Sequence, residues 1–377
     1  MARRKAKSGP KGGKSASRDP GNPRASARAT IVDIAHKLKL SATTVSRALR
    51  DQPGMTAETR RQVRAEARRL GYVRNAAAAA LTAGRTHSIV YVVPNTSGRF
   101  PSLYHMEVLE GLVDEISQHG YTLTVVSERH LENLDHSVFD VFKQFRADGA
   151  VLLLLHSGEV PVPQTSFPHP VVVVNRIVEG IDADFVVADD EDGAYAATQH
   201  LISLGHRSIA HLAGPSDNFN TTRRRRGYER ALSDAGIRVL NRLVVPVASI
   251  SEEAGFQATE KLMQSRQDFT AVFSAVDLLA LGAMRSFHSR GLSVPGDVSL
   301  MSFDDDSFAG VVKPPLSTVR KPRYEMGRAA ARLLMNRIEG RETSRSVTST
   351  MRTKLIVRSS AASPNFAGRK HVALSAK

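Results

Sequence analysis

The sequence predicts two kinds of fold in one chain: an all-α three-helix headpiece with a short hinge helix, followed by a two-lobed α/β core. Three observations lead there. Residues 30–73 carry apolar side chains at helical spacing in three short stretches, each opened by a hydroxyl residue. Residues 74–86 contain Asn75, five alanines and Leu81. From His87 onward, β-branched runs alternate with helical stretches closed by glycine, the pattern of parallel strands covered by helices.

Thr30 caps a first helix in which Ile31, Ile34, Ala35 and Leu38 fall at i, i+3, i+4 and i+7, so one face is core. After Lys39 and Leu40, Ser41 caps a second helix. Its Val45, Ala48 and Leu49 point inward, leaving Ala42, Thr43, Thr44, Ser46 and Arg47 outside. Two brief helices joined by a tight turn, the second presenting small polar residues near its N-terminus, match the helix-turn-helix layout, in which that end enters the DNA major groove. Arg47 is the natural donor to guanine or phosphate. A third helix starts at Thr56, buries Val63, Ala67 and Leu70, and stops at Gly71, the residue best able to take the left-handed conformation after a helix. Its outer face holds Arg60, Arg61, Arg64 and Arg68. The alanines that follow favour helix, yet two isolated turns cannot overcome the nucleation cost, so alone they read as a linker.

Charge separates the two parts. The net charge is +15, and residues 1–81 hold 19 Lys/Arg against 5 Asp/Glu, whereas the remainder holds 33 against 32. The excess therefore sits on the helical end, as a phosphate-binding module requires. No large apolar face lies beside it to suit a membrane surface. Residues 1–29, basic and without apolar periodicity, are expected to be a disordered extension, and no secretory core follows Arg3-Arg4-Lys5. No run approaches the roughly 18 apolar residues of a membrane span. The absence of cysteine removes disulfides and thiolate chemistry and suits a cytoplasmic location.

Residues 30–81 resemble the headpiece and hinge of the lactose/galactose repressor (LacI/GalR) family. The resemblance is carried in order by Thr30-Ile31-x-Asp33-Ile34-Ala35, Ser41-x-x-Thr44-Val45-Ser46-Arg47-Ala48-Leu49, Thr59-Arg60-x-x-Val63 and Leu70-Gly71-Tyr72-x-x-Asn75. It implies DNA contacts from Thr30, Ser41, Ala42, Thr43, Thr44, Ser46, Arg47 and Thr56, and from Asn75, Ala78 and Leu81 in the hinge. It also implies that two hinges fold together over the minor groove, with Leu81 wedged between base pairs. Three residues depart from the family: Lys39 replaces the turn glycine, Arg74 the proline before Asn75, and Ala79 a hinge arginine. Lys39 must either accept positive φ at about 1 kcal/mol or belong to a turn of different build.

In the core, strands are expected at residues 89–93, 122–126, 150–155, 171–174, 209–212, 271–273 and 298–302, with helices ending at Gly120, Gly205, Gly236 and Gly291. About 270 residues suit two open α/β lobes with a cleft at the strand ends. Residues 204–210, Arg224-x-x-Gly227-Tyr228, Asp277-x-x-Ala280-Leu281-Gly282, residues 298–305 and Pro314-Pro315-Leu316-Ser317-Thr318-Val319 resemble the same family's sugar-binding core, which is periplasmic-binding-protein-like. The resemblance implies lobe crossings near residues 188 and 320 and again near the C-terminus, with residues 87–360 forming the core and 361–377 a tail. It further implies effector contacts by Arg224 and Asp304, with Val276, Asn175 and Phe100 at positions where the family differs. A guanidinium and a carboxylate facing each other across a cleft would suit a polyol or sugar acid. For the rest of Arg223–Arg226 a solvated helix face is the simpler reading, and for Asp304-Asp305-Asp306 a helix start or structural hydrogen bonds rival the ligand role. Val276 removes an amide contact common in the family, Arg99-Phe100-Pro101-Ser102 changes the pocket rim, and Asn175 and Asp190 exchange the usual acid and amide.

The motifs of other classes are missing. There is no GxSxG elbow, HExxH helix or Walker loop, and the 13 histidines are scattered, with His206 and His211 placed for surface or packing roles. An exported solute-binding protein would need a signal and has no use for a basic headpiece. The expectation is a non-enzymatic regulator without cofactor or metal. Its partners are a pseudo-palindromic DNA operator, a sugar-like effector and a second copy of the chain in a homodimer or tetramer; control by a partner protein is the alternative.

Overall fold

A capping box starts the headpiece: Thr30 Oγ1 accepts from Asp33 N at 3.3 Å while the Asp33 carboxylate accepts from Thr30 N at 2.7 Å. The computed structural model describes residues 29–49, 51, 53–72, 85–94, 103–127, 142, 144–153, 167, 169–265, 268–342 and 345–364. Helices α1 (Ile31–Leu38), α2 (Ala42–Leu49) and α3 (Ala57–Arg69) close around Ile34, Ala35, Val45, Ala48, Val63 and Ala67. These are the inward positions of the apolar pattern. Gly71 (φ 61°) ends α3, and Tyr72 N donates to Ala67 O at 2.8 Å, which satisfies a terminal carbonyl.

Lys39 takes the left-handed conformation itself, at φ 53° and ψ 39°. The turn keeps its usual build and bears the strain of a Cβ. Lys39→Gly is therefore expected to stabilise the headpiece by about 0.5–1 kcal/mol, since relief of strain exceeds glycine's added unfolded-state freedom. Slower amide exchange across α1 and α2 would show it, and unchanged exchange would mean that the turn carries no strain.

The second unit is the core. β1 (Ser88–Val93), α4 (Leu103–Gln118), β2 (Thr122–Ser127), β3 (Gly149–Leu153), β4 (Val171–Val174) and β5 (Asp184–Ala188) begin its first lobe. The chain then crosses into the second lobe: α5 (Asp190–Ser203), β6 (Ile209–Ala213), α6 (Phe219–Asp234), β7 (Val244–Pro246), α7 (Glu252–Gln264), β8 (Ala271–Ser274), α8 (Asp277–Ser289) and β9 (Ser299–Met301). β10 (Thr318–Arg320) leads back to α9 (Arg323–Ile338) and β11 (Thr348–Met351) in the first lobe, and β12 (Lys354–Ile356) pairs antiparallel with β10. The first sheet is parallel in the order β11-β5-β4-β3-β1-β2, the second parallel in the order β7-β6-β8-β9. Strands β3, β4, β5 and β6 are buried throughout, which is why they read as continuous apolar runs.

The expected strands are present, the third as far as Leu153, with residues 154 and 155 outside the described set. β5, β7, β10, β11 and β12 add to them. Gly120, Gly205, Gly236 and Gly291 all have positive φ, as helix-ending glycines should. Glycine also sets helix contacts. A Cβ on Gly111 in α4 would lie 2.1 Å from Tyr324 O, and one on Gly327 in α9 would lie 2.1 Å from Val108 O, so these helices meet backbone to backbone. Gly255 and Gly282 do the same between α7 and α8.

Candidate nucleic-acid interface and interlobe site

The exposed face of α2 is built from its cap. Ser41 Oγ accepts from Thr44 N at 3.0 Å and lies 2.8 Å from Thr44 Oγ1, fixing the helix start. Ala42, Thr43 and Arg47 are exposed, and Thr44 and Ser46 partly so. Arg47 does not extend freely, because its Nη2 donates to Pro53 O at 3.1 Å. That bond ties the guanidinium to the α2–α3 turn and leaves its other donors available. Thr30 and Thr56 are helix caps. On α3, Arg61 pairs with Glu58, Arg64 with Asp51 and Arg69 with Glu66. Asn75, Ala78 and Leu81 lie outside the described residues.

Between the lobes, buried charges converge where the chain crosses. Arg224, on α6, donates from Nε to Asp190 Oδ1 at 2.8 Å, from Nη1 to Ala275 O at 2.7 Å and from Nη2 to Asp304 Oδ1 at 2.9 Å. Its guanidinium stacks on Phe303, 3.8 Å from the ring centroid. Lys321, just after β10, donates from Nζ to Asn175 Oδ1 at 2.6 Å and lies 3.4 Å from Asp190 Oδ2. Burial pushes the Lys321 ammonium down to about 8 against the pull of Asp190. Asn220, with its amide nitrogen turned inward, reaches Asp190 Oδ2 at 3.1 Å and Asn175 O at 2.8 Å.

The expectation that Arg224 and Asp304 face each other across a cleft is corrected by this geometry. Both belong to the second lobe and are bonded to each other directly, because α6 and the end of β9 are neighbours there. The lobes are instead linked through Lys321 and Arg323. Arg323 reaches Glu107 of α4 at 3.5 Å, Asp304 O at 3.2 Å and the Asp306 carboxylate at 2.8 Å. Asn175, Asp304 and Asp305 have φ of 84°, 118° and 58°, tolerated by Asn and Asp better than by most residues, at a cost of about 1–3 kcal/mol each.

Asp305 is spent on Arg320 and Arg358, so only Asp304 of the three consecutive acids meets Arg224. Asp277 accepts from Thr318 Oγ1 and Asp306 N, both at 2.7 Å, and burial beside Asp304 raises it to about 7. Val276 is buried at the start of α8, where its side chain provides no cap. Phe100 lies outside the described residues. A cavity of about 640 Å³ opens here, lined by Glu107, Asp304, Lys321 and Arg323 among others. No group of three potential ligands among the described residues is placed to hold a metal ion.

Residues 30–75 match the lacI family of bacterial regulatory proteins, and residues 198–361 match a periplasmic binding protein-like domain. The regulator CelR of Thermobifida fusca is 32% identical over 344 residues, covering 88% of this chain and 98% of the relative. The chain belongs to the lacI family. The repressor CytR of Escherichia coli (strain K12) is 31% identical over 337 residues, covering 88% of this chain and 96% of that one. Among solved structures, a complex of CelR with cellobiose superposes with a TM-score of 0.66 at 30% identity, covering 89% of this chain and all of the other. The lac repressor dimer bound to operator reaches 0.74 at 21% identity with the same coverage, and supports the fold.

This lacI-family chain is thus a transcription regulator. Its interlobe site contains two residues that sequence reasoning did not single out as contacts, Lys321 and Arg323. Neither lies in an apolar run, and charged residues are ordinarily solvated. The one available signal was Asp190, an acid where the family has an amide.

Proposed function

We propose that the chain binds a pseudo-palindromic operator as a homodimer and represses transcription, with a small molecule between its lobes altering DNA affinity. The observation that carries this reading is the exposed N-terminal face of α2, where Thr43, Thr44, Ser46 and Arg47 stand on a capped, rigid helix. Small hydroxyls allow close approach to bases, and Arg47 supplies the long donor. Asn75, Ala78 and Leu81 are assigned to the minor groove on the family resemblance. A sugar-like effector is supported by the cellobiose complex of CelR and by the Asp304 carboxylate on the cavity wall, which can accept from ligand hydroxyls. Among the described residues no helix is long and apolar enough to cross a membrane; a cytoplasmic site of action is part of the proposal because the operator lies there.

Selection of genomic fragments by the full-length protein near physiological salt, followed by footprinting, tests the proposal. Recovery of a short inverted repeat is the expected result. Uniform, steeply salt-sensitive retention of all fragments would reduce the headpiece to a phosphate binder. Arg47→Ala is expected to cost about 1–3 kcal/mol of operator affinity while leaving random-sequence affinity nearly unchanged. Equal losses on both would make Arg47 a backbone clamp.

A further inference from the structure

Six cations and five acids line the cavity, and their bonding divides them into two groups. In the first, the charges are paired: Arg323 reaches Glu107 and Asp306, Asp304 receives Arg224, and Lys321 meets Asp190. Glu325 stands on the first turn of α9, where the helix amides favour a carboxylate. The second group lies on the paired strands β10 and β12 and just beside them, where Arg320, Arg352, Lys354 and Arg358 share one carboxylate. That carboxylate is Asp305, 4% exposed, which takes Arg320 Nε at 2.7 Å and Arg358 Nη2 at 2.6 Å. Arg352 and Lys354 are exposed and have no ion-pair partner among the described residues.

Lys354 stands directly opposite Arg320 in the antiparallel ladder. Like charges at such a position weaken a strand pair, and this pair is only three residues long. An anion held between them turns the repulsion into attraction. A phosphoryl group fits best, because it carries about two negative charges and roughly three acceptor oxygens, enough for several cations, and guanidinium forks match its geometry. We propose that Arg320, Arg352, Lys354 and Arg358 form an anion site on the hinge strands, one that takes the phosphoryl group of inorganic phosphate or of a small phosphate ester. None of the four bonds to Arg224, Asp190 or Asp304, so the site stands apart from that network and from the regulator reading. Since β10 carries the chain from the second lobe back to the first, an occupied site would firm the strand pair at that crossing.

Amide exchange of the full-length protein tests this, with phosphate replacing chloride at constant ionic strength and a pH of about 7.5, where phosphate is mainly the dianion. Exchange is read in peptides covering residues 318–320 and 352–358, so phosphate on the basic headpiece registers elsewhere and is scored separately. Exchange in these peptides is expected to slow about tenfold at ten times the half-saturating phosphate concentration. Glycerol 3-phosphate, with glycerol as the uncharged control, separates the sources. Protection at lower concentration than inorganic phosphate assigns the site to an ester, and equal or weaker protection assigns it to the free ion. Arg352→Gln combined with Lys354→Gln should raise the half-saturating concentration about tenfold. In phosphate-free buffer, Lys354→Gln alone should slow exchange of the strand pair about two- to fivefold, because the repulsion is gone. A merely structural lysine would give faster exchange there.

Exchange unchanged between chloride and phosphate would reduce the patch to a solvated surface, and protection that survives in the double variant would place the anion elsewhere. Either result overturns the proposal. Should the double variant fail to fold, the wild-type comparison of phosphate with chloride decides alone.

Discussion

Asp190→Ala is expected to destabilise the core by about 3–5 kcal/mol, the cost of removing one partner from a buried ion pair. Asp190 has no exposed side chain and receives both Arg224 and Lys321. Its loss leaves two buried cations, Arg224 bonded to Asp304 and Lys321 to Asn175. The chain has no tryptophan, so urea unfolding followed by circular dichroism is the suitable measurement. At pH 9, above the Lys321 value of about 8, that lysine is neutral in either protein and the cost should shrink. An unchanged midpoint at pH 7 would mean that water reaches these charges.

His211→Phe should change the acid response of the core. His211 is fully buried between Tyr228 and Phe273, its Nδ1 lies 2.9 Å from Phe273 O, and Nε2 has no hydrogen-bond partner. Burial pushes it down to about 4 from the usual 6.5. Between those values the unfolded chain binds a proton that the folded chain does not, so stability falls as pH drops through this window. The full loss is about 3 kcal/mol at 1.36 kcal/mol per pH unit. Asp277, raised to about 7, acts with the opposite sign, as a carboxyl that binds its proton more readily when folded. The informative quantity is therefore the stability difference between wild type and His211→Phe. It should move by about 3 kcal/mol in favour of the variant between pH 7.5 and pH 4, and a pH-independent difference would show that His211 titrates normally in the fold.

The headpiece was legible because its information is local. Thr30 with Asp33, Ser41 with Thr44 and Gly71 after Leu70 each act within a few residues, and the structure uses them as the spacing required. In the core, the long apolar strands were legible for the same reason. β11 (Thr-Ser-Thr-Met) was not, since it is an edge strand with polar composition, and β7, β10 and β12 are only three residues long. β5 carries a Phe185-Val186-Val187-Ala188 run as apolar as those of the expected strands. The site was half legible. Arg224 and Asp304 could be named from motifs, but the bond between them joins positions 80 apart and that between Lys321 and Asn175 positions 146 apart. No local pattern reports such pairings, and a lysine in an unpatterned stretch reads as surface until its partners are placed.

The return of α9 and β11 to the first lobe has a consequence for the order in which the chain can mature during synthesis. Met326, Ala330, Ala331, Leu334 and Met335 complete the apolar face shared by β1, β3, β4 and α4, yet they follow the entire second lobe in sequence. The lobe that leaves the ribosome first is consequently the last to close, its β5 edge and helix-facing surface open until some 160 further residues have emerged. Chaperone dependence should therefore fall on the earlier lobe, while the later one forms from nearly contiguous chain.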